Sequence, residues 1–328
     1  MSDLPDKLAS ALPSEAQMHP STISAKETQF AEQLETGKSK YSTIANTWIP
    51  GGAKITSIRP ASLTYFYQTE TDKTAVCLHF TVGYITSDIA ALTDPSSHVS
   101  VSYVVDRAGR IYELFPDKYW SYHLGSGTIG GNAAMSKRTI GIEISNYGPL
   151  ALKGGKLLDA YGNTYCSESE TDLYDTYEYR GFKYYASVTA EQASATACLL
   201  KYLCGTHGIP LVFRGDDEPF SSSSDALGFH GIFYHTNARK DKFDWPFGPS
   251  LKSIIDACTE KKPEPAPEPE PSHESEPEPT GETGPVSEPE PEPEQKTERP
   301  AVSTTGRPSG QGWLSRLLDA IARLFRKS

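Results

Sequence analysis

The 328-residue chain is 37% hydrophobic with a formal net charge of −11, ample for one large or two small domains with a core. That charge is local: residues 263–298 hold 12 Glu, no Asp and one Lys, so the remainder is near neutral and offers no basic field to nucleic acid. No apolar run is long enough to span a bilayer, and five cysteines without CxxC spacing read as reduced thiols rather than a disulfide framework or zinc knuckle.

Residues 1–45 are polar and broken by Pro5, Pro13 and Pro20, which predicts an extension outside the core with a helix over about 24–36. The stretch from Met1 to Lys7 lacks a basic and then apolar region, so synthesis in the cytoplasm without a secretory signal is expected. Residues 46–73 carry Pro50-Gly51-Gly52 and a Tyr/Phe-rich piece over 63–67 that predicts an early strand. In residues 74–80, Val76, Leu78 and Phe80 alternate with Cys77 and His79, the period of a strand with His79 opposite the apolar face. A loop is expected up to about residue 98. Residues 99–105 and 110–115, joined through Asp106-Arg-Ala-Gly109, predict a hairpin.

Residues 116–138, rich in Gly, Ser, Trp and His, suit a functional loop. Over 139–145, Ile140, Ile142 and Ile144 share one strand face while Gly141, Glu143 and Ser145 share the other. Residues 148–187 show no regular period and predict an irregular insertion with a small ribbon. Thr189 with Gln192 forms a capping box for a helix that Gly205 or Gly208 ends, and Ile209–Phe213 reads as a further strand. Residues 249–260 predict a closing helix. Residues 262–311, dominated by Pro and Glu, predict a stiffened disordered linker, because they cannot bury enough apolar surface to offset ordering entropy. Over 312–328, Trp313, Leu314, Leu317, Leu318, Ile321, Leu324 and Phe325 fall opposite Arg316, Arg323, Arg326 and Lys327. That two-faced cationic helix suits contact with a membrane surface, as against docking on the rest of the chain.

Two imidazoles and a carboxylate, His79, His235 and Asp244, would suit Zn²⁺ with one position open to water, although His230 competes with His235 and several other Asp residues lie nearby. Glu143 beside such a water would act as general base. His123 lies among aromatics and a glycine in what reads as a recognition loop.

These segments together resemble a known family. His79 in Val-Cys-Leu-His-Phe-Thr-Val-Gly, the hairpin from Ser102 to Tyr112, Trp120-x-x-His123-x-Gly125, Gly131-Asn132, Ile140-Gly-Ile-Glu-Ile144, and His235 followed by Lys242-x-Asp244 occur in the order seen in type-2 N-acetylmuramoyl-L-alanine amidases. The likeness covers roughly residues 70–250. It implies an α/β fold with a central mixed twisted sheet flanked by helices, filling a zinc amidase domain over 46–261. It also implies that His79, His235 and Asp244 bind Zn²⁺, that Glu143 activates water, and that Lys242 stabilises the oxyanion. His123 and Asn132 would line the substrate groove. The implied partner is peptidoglycan, and the implied role is endolysin-like lysis of the cell wall, in the periplasm or outside the cell. A non-catalytic peptidoglycan binder of the same fold and a cytosolic muropeptide-recycling amidase are the other readings.

Overall fold

A computed structural model describes residues 18–215, 218–245 and 248–259. The linker expected over 262–311 and the helix expected over 312–328 lie outside these residues, as do residues 1–17.

The first helix, α1 (Pro20–Glu35), starts with proline in its first turn, and the His19 ring accepts from Ser21 N–H at the cap. Ile23, Glu27, Phe30 and Leu34 recur on one buried face. Phe30 and Leu34 pack with Tyr41, Ile58, Tyr65 and Tyr112. This corrects the expectation that residues up to 45 stand outside the core, since residues 18–45 contribute an apolar face to it. A hairpin follows, β1 (Ser42–Trp48) and β2 (Lys54–Arg59), turning at Pro50-Gly51-Gly52, with Gly51 and Gly52 at φ +95° and +84°. The strand expected over 63–67 is instead loop, with Tyr65 and Phe66 buried.

The central elements are β3 (Ala75–Phe80), α2 (Ile85–Leu92), β4 (Tyr103–Val105), β5 (Ile111–Glu113), α3 (Asn132–Arg138) and β6 (Thr139–Ile144). Strand β12 (Gly231–Tyr234) completes a seven-stranded mixed sheet of order β1-β2-β5-β4-β6-β3-β12. The three strands β6, β3 and β12 are neighbours and parallel, so their carboxyl ends lie side by side. The alternation read from the sequence holds. Val76, Leu78, Phe80, Ile140, Ile142 and Ile144 pack against α4 (Ala190–His207) and α7 (Pro249–Thr259) through Leu200, Leu203, Leu251 and Ile254. The opposite face buries Ala75 and Cys77 among Leu124, Met135, Phe220 and Phe233. Helix α4 begins at the Thr189/Gln192 capping box and ends at Gly208 in the left-handed conformation, at φ +64°. The mixed α/β sheet flanked by helices agrees with the expected fold class.

The insertion is more ordered than its composition suggests. It forms a second, antiparallel sheet of order β10-β11-β7-β8-β9 from β7 (Pro149–Lys153), β8 (Lys156–Leu158), β9 (Thr164–Ser167), β10 (Tyr174–Tyr179) and β11 (Phe182–Ala186). Tyr147, Leu150, Leu157 and Tyr165 form its buried face, joined by Met18 and Ile23. Two short helices, α5 (Ser223–Gly228) and α6 (His235–Ala238), flank β12.

Candidate metal centre

Three adjacent parallel strands deliver the chemistry to one end of the sheet. His79 is near the end of β3, Glu143 is its cross-strand partner on β6, and His235 is the first residue after β12. Asp244 and Lys242 arrive on the irregular segment beyond α6. Carboxyl ends of adjacent parallel strands are where open α/β sheets place their ligands.

His79 Nδ1, His235 Nδ1 and Asp244 Oδ2 lie 2.9, 3.2 and 3.0 Å from one another. All three residues are buried. His230, the competing histidine, is exposed and outside this cluster.

The protons in this cluster can be placed from its hydrogen bonds. His235 Nε2 sits 2.9 Å from the Leu124 carbonyl, which can only accept, so the His235 proton is on Nε2. Burial drives this ring neutral, pushing its pKa down to about 4 despite Asp244, so its Nδ1 presents a lone pair. The second chain starts at the Thr139 hydroxyl, which donates to the Met135 carbonyl at 2.7 Å and must therefore accept from His123 Nε2 at 2.8 Å. Burial, and then His79 and His235, hold His123 neutral, so its Nδ1 accepts from His79 Nε2 at 2.9 Å. With Nε2 donating there, His79 Nδ1 is the nitrogen that faces the cluster. Asp244 completes it with a buried carboxylate oxygen within 3.2 Å of both rings.

Three electron-pair donors thus face one point with no proton among them. Such a set is repulsive by itself and suits a cation. Ligands 2.0–2.1 Å from a tetrahedral Zn²⁺ stand about 3.3 Å apart, close to the spacing here. The residues fit zinc. A second group, Cys77, His79 and His123, also has ligand atoms within 4.8 Å of one another. It suits a metal poorly, because His79 Nε2 carries the proton that His123 accepts. Burial, then Asp244 and Glu143, also push the Cys77 thiol well above its usual range.

Glu143 is partly exposed, but its Oε2 is buried without a hydrogen-bond partner. Burial, followed by Asp244 and Asp88, raises its carboxyl well above the ordinary range, with Lys242 opposing. Lys242 is buried, and burial lowers its ammonium pKa against the pull of Asp244.

The structure places the two residues expected in a substrate groove differently. His123 stands behind His79 and orients it, the position of an outer-shell partner rather than of a groove-lining side chain. Gly141 makes room for that ring: a Cβ there would meet Val101 Cγ1 at 2.8 Å and His123 Cγ at 3.2 Å. Asn132 opens α3, where its Oδ1 accepts from Gly125 N–H at 3.0 Å and Ser136 Oγ at 3.1 Å. It ties down the loop whose Leu124 carbonyl holds His235. Thr139 and the Leu124 carbonyl are functional groups that the sequence reading missed. Ile140-Gly-Ile was the one available signal, a glycine inside a strand that marks close approach by another group.

The family profile described as N-acetylmuramoyl-L-alanine amidase matches residues 69–241, just over half of the chain. No curated protein matches significantly. Among solved structures, the N-acetylmuramyl-L-alanine amidase AmiD from E. coli, in complex with anhydro-N-acetylmuramic acid-L-Ala-D-gamma-Glu-L-Lys, is 19% identical with a TM-score of 0.36. That match covers 58% of this chain and only 60% of AmiD. The N-acetylmuramoyl-L-alanine amidase LysC from Clostridium intestinale URNW is 13% identical over 62% of this chain and 95% of that one, with a TM-score of 0.35. The hydrolase AmiA from Staphylococcus aureus is 14% identical over 70% and 86%, also at 0.35.

Proposed function

Since the chain belongs to the N-acetylmuramoyl-L-alanine amidase family, we propose that it is a zinc hydrolase that cuts the amide between N-acetylmuramic acid and L-alanine in peptidoglycan. The observation carrying this reading is the convergence of His79 Nδ1, His235 Nδ1 and Asp244 Oδ2, with the opposite ring nitrogens engaged by His123 Nδ1 and the Leu124 carbonyl.

Zinc held by these three residues would lower the pKa of a bound water and polarise the scissile carbonyl. Glu143 takes the proton from the attacking water and returns it to the departing L-alanine nitrogen. Its Oε2, buried without a hydrogen-bond partner, is available for both transfers. The buried Lys242 ammonium holds the negative charge that develops on the carbonyl oxygen of the tetrahedral intermediate. His123 and Thr139 hold the His79 ring in its ligating tautomer. The presence of Glu143 together with a full ligand set supports an enzyme over a non-catalytic binder.

The test is incubation of the full-length protein with a soluble muramyl peptide and mass analysis of the products. A free stem peptide with an L-alanine amino terminus is expected, with activity abolished in Glu143→Ala while zinc is retained. An intact substrate, or cleavage at another bond, overturns the reading.

The role we assign is endolysin-like degradation of the wall. The cationic, two-faced pattern over 312–328 suits an anionic membrane surface beside the wall. Deleting it should reduce leakage from anionic liposomes, and equal leakage by both forms refutes membrane contact.

A further inference from the structure

We propose that Arg180, in the inserted sheet, is a positioning residue that fixes the segment bearing Lys242 and Asp244. The inference rests on the amidase reading above and assigns a task to the insertion.

Residues 239–245 leave α6 without regular secondary structure, yet they supply two of the groups on which the chemistry depends. The carbonyls of such a segment have no ladder to pair with and need partners from elsewhere. Arg180 provides them. Its Nη1 donates toward the Lys240 carbonyl at 2.7 Å, the Arg239 carbonyl at 3.4 Å and the Lys242 carbonyl. One guanidinium nitrogen therefore gathers three carbonyls of the loop, the last belonging to Lys242 itself. Its two N–H groups serve the Lys240 and Lys242 carbonyls, with the longer contact to Arg239 shared.

The backbone presents Arg180 deliberately. Tyr179 and Phe182 pair across the end of the β10–β11 hairpin, leaving Arg180-Gly181 as its two-residue turn. Both turn residues have positive φ, +49° and +86°, the geometry of tight hairpins that usually recruits Asn or Gly at the first position. An arginine at that position accepts an unfavourable conformation, and its side chain bridges to the loop.

Two further contacts from the same hairpin grip the segment beyond. The Phe182 ring meets Phe243 edge to face at 5.2 Å, directly between Lys242 and Asp244. At the root of the hairpin, the Asp175 carboxylate accepts Ser250 N–H at 3.0 Å. The hairpin thus holds the chain on either side of Asp244. Arg180 sets the position of the Lys242 main chain, and through it the reach of the ammonium and the placement of the third ligand.

The experiment compares full-length wild type, Arg180→Ala and Arg180→Lys by kcat and KM on a soluble muramyl peptide, zinc affinity by chelator competition, and thermal melting. Arg180→Ala should lose about ten- to hundredfold in kcat and in zinc affinity, the usual range for outer-shell partners, with KM within about twofold. Arg180→Lys should fall between the two. Wild-type values of kcat and zinc affinity in Arg180→Ala overturn the proposal, as does a kcat loss that merely follows melting. If Arg180→Ala does not fold, Arg180→Lys decides by the same criteria. An inactive wild type refutes the amidase reading alone, because the zinc affinities still test Arg180.

Discussion

Replacing Thr139 with valine probes the proton chain behind His79 without changing the shape of the site. Thr139 is buried, and its hydroxyl both donates to Met135 and accepts from His123 Nε2. Valine keeps the volume and removes both bonds. A buried polar group left unpaired costs about 1–3 kcal/mol, and His123 can escape that cost by moving its proton to Nδ1. His79 Nε2 must then accept, which places the His79 proton on Nδ1, among the ligands. Binding zinc has to reverse this tautomer shift, so most of the 1–3 kcal/mol appears as lost affinity. At about 1.4 kcal/mol per decade, the dissociation constant should rise roughly five- to hundredfold. Chelator competition measures it, with Thr139→Ser as a control that restores the hydroxyl and most of the affinity. Zinc affinity within twofold of wild type in Thr139→Val would show that the His79 tautomer is not set through His123.

Glu143→Gln should keep zinc and lose about 10²–10⁴ in kcat, because only proton transfer is removed; a variant turning over at the wild-type rate would remove Glu143 from the mechanism. Gly141→Ala should destabilise by about 1–3 kcal/mol and also weaken zinc binding, since the new methyl crowds Val101 and the His123 ring; unchanged melting and affinity would mean that the ring has room to spare. Glu27, buried on α1, accepts Arg107 N–H at 3.0 Å, and burial followed by Asp106 pushes its carboxyl up to about 8, with Arg107 opposing. A folded-state value above the ordinary 4.5 leaves stability intact at low pH and erodes it as pH rises toward about 8. Denaturant titrations of wild type and Glu27→Gln should therefore diverge between pH 5 and 8, with the variant less sensitive to pH, and parallel curves would contradict this.

The sequence disclosed the strands that carry the site because their patterns are local. Val76, Leu78 and Phe80, and likewise the three isoleucines of β6, alternate cleanly, and Thr189 with Gln192 marks the start of α4 within four residues. The β1–β2 hairpin was less visible. Its turn residues were noted, but every residue of β1 is exposed, so no apolar alternation announced the strand. The second sheet hid for a related reason: its strands are three to six residues long, and β10 mixes half-buried tyrosines with polar residues, so no sharp period stands out. The proposed ligands were nameable from their chemistry, whereas the choice between His230 and His235 depends on which one follows β12 into the cluster. The position of His123 was not legible. Its partner Thr139 lies 16 residues away, and only the sheet shows that the ring sits behind His79. Arg180 was hidden in the same way, since its partners are main-chain carbonyls about 60 residues on and carry no side-chain signal.

The account depends on where the metal sits, and anomalous diffraction at the zinc edge from crystals of the full-length protein measures that directly. The account predicts one peak shared by His79 Nδ1, His235 Nδ1 and Asp244 Oδ2. A peak instead among Cys77, His79 Nε2 and His123, or no peak from protein saturated with zinc, would contradict it.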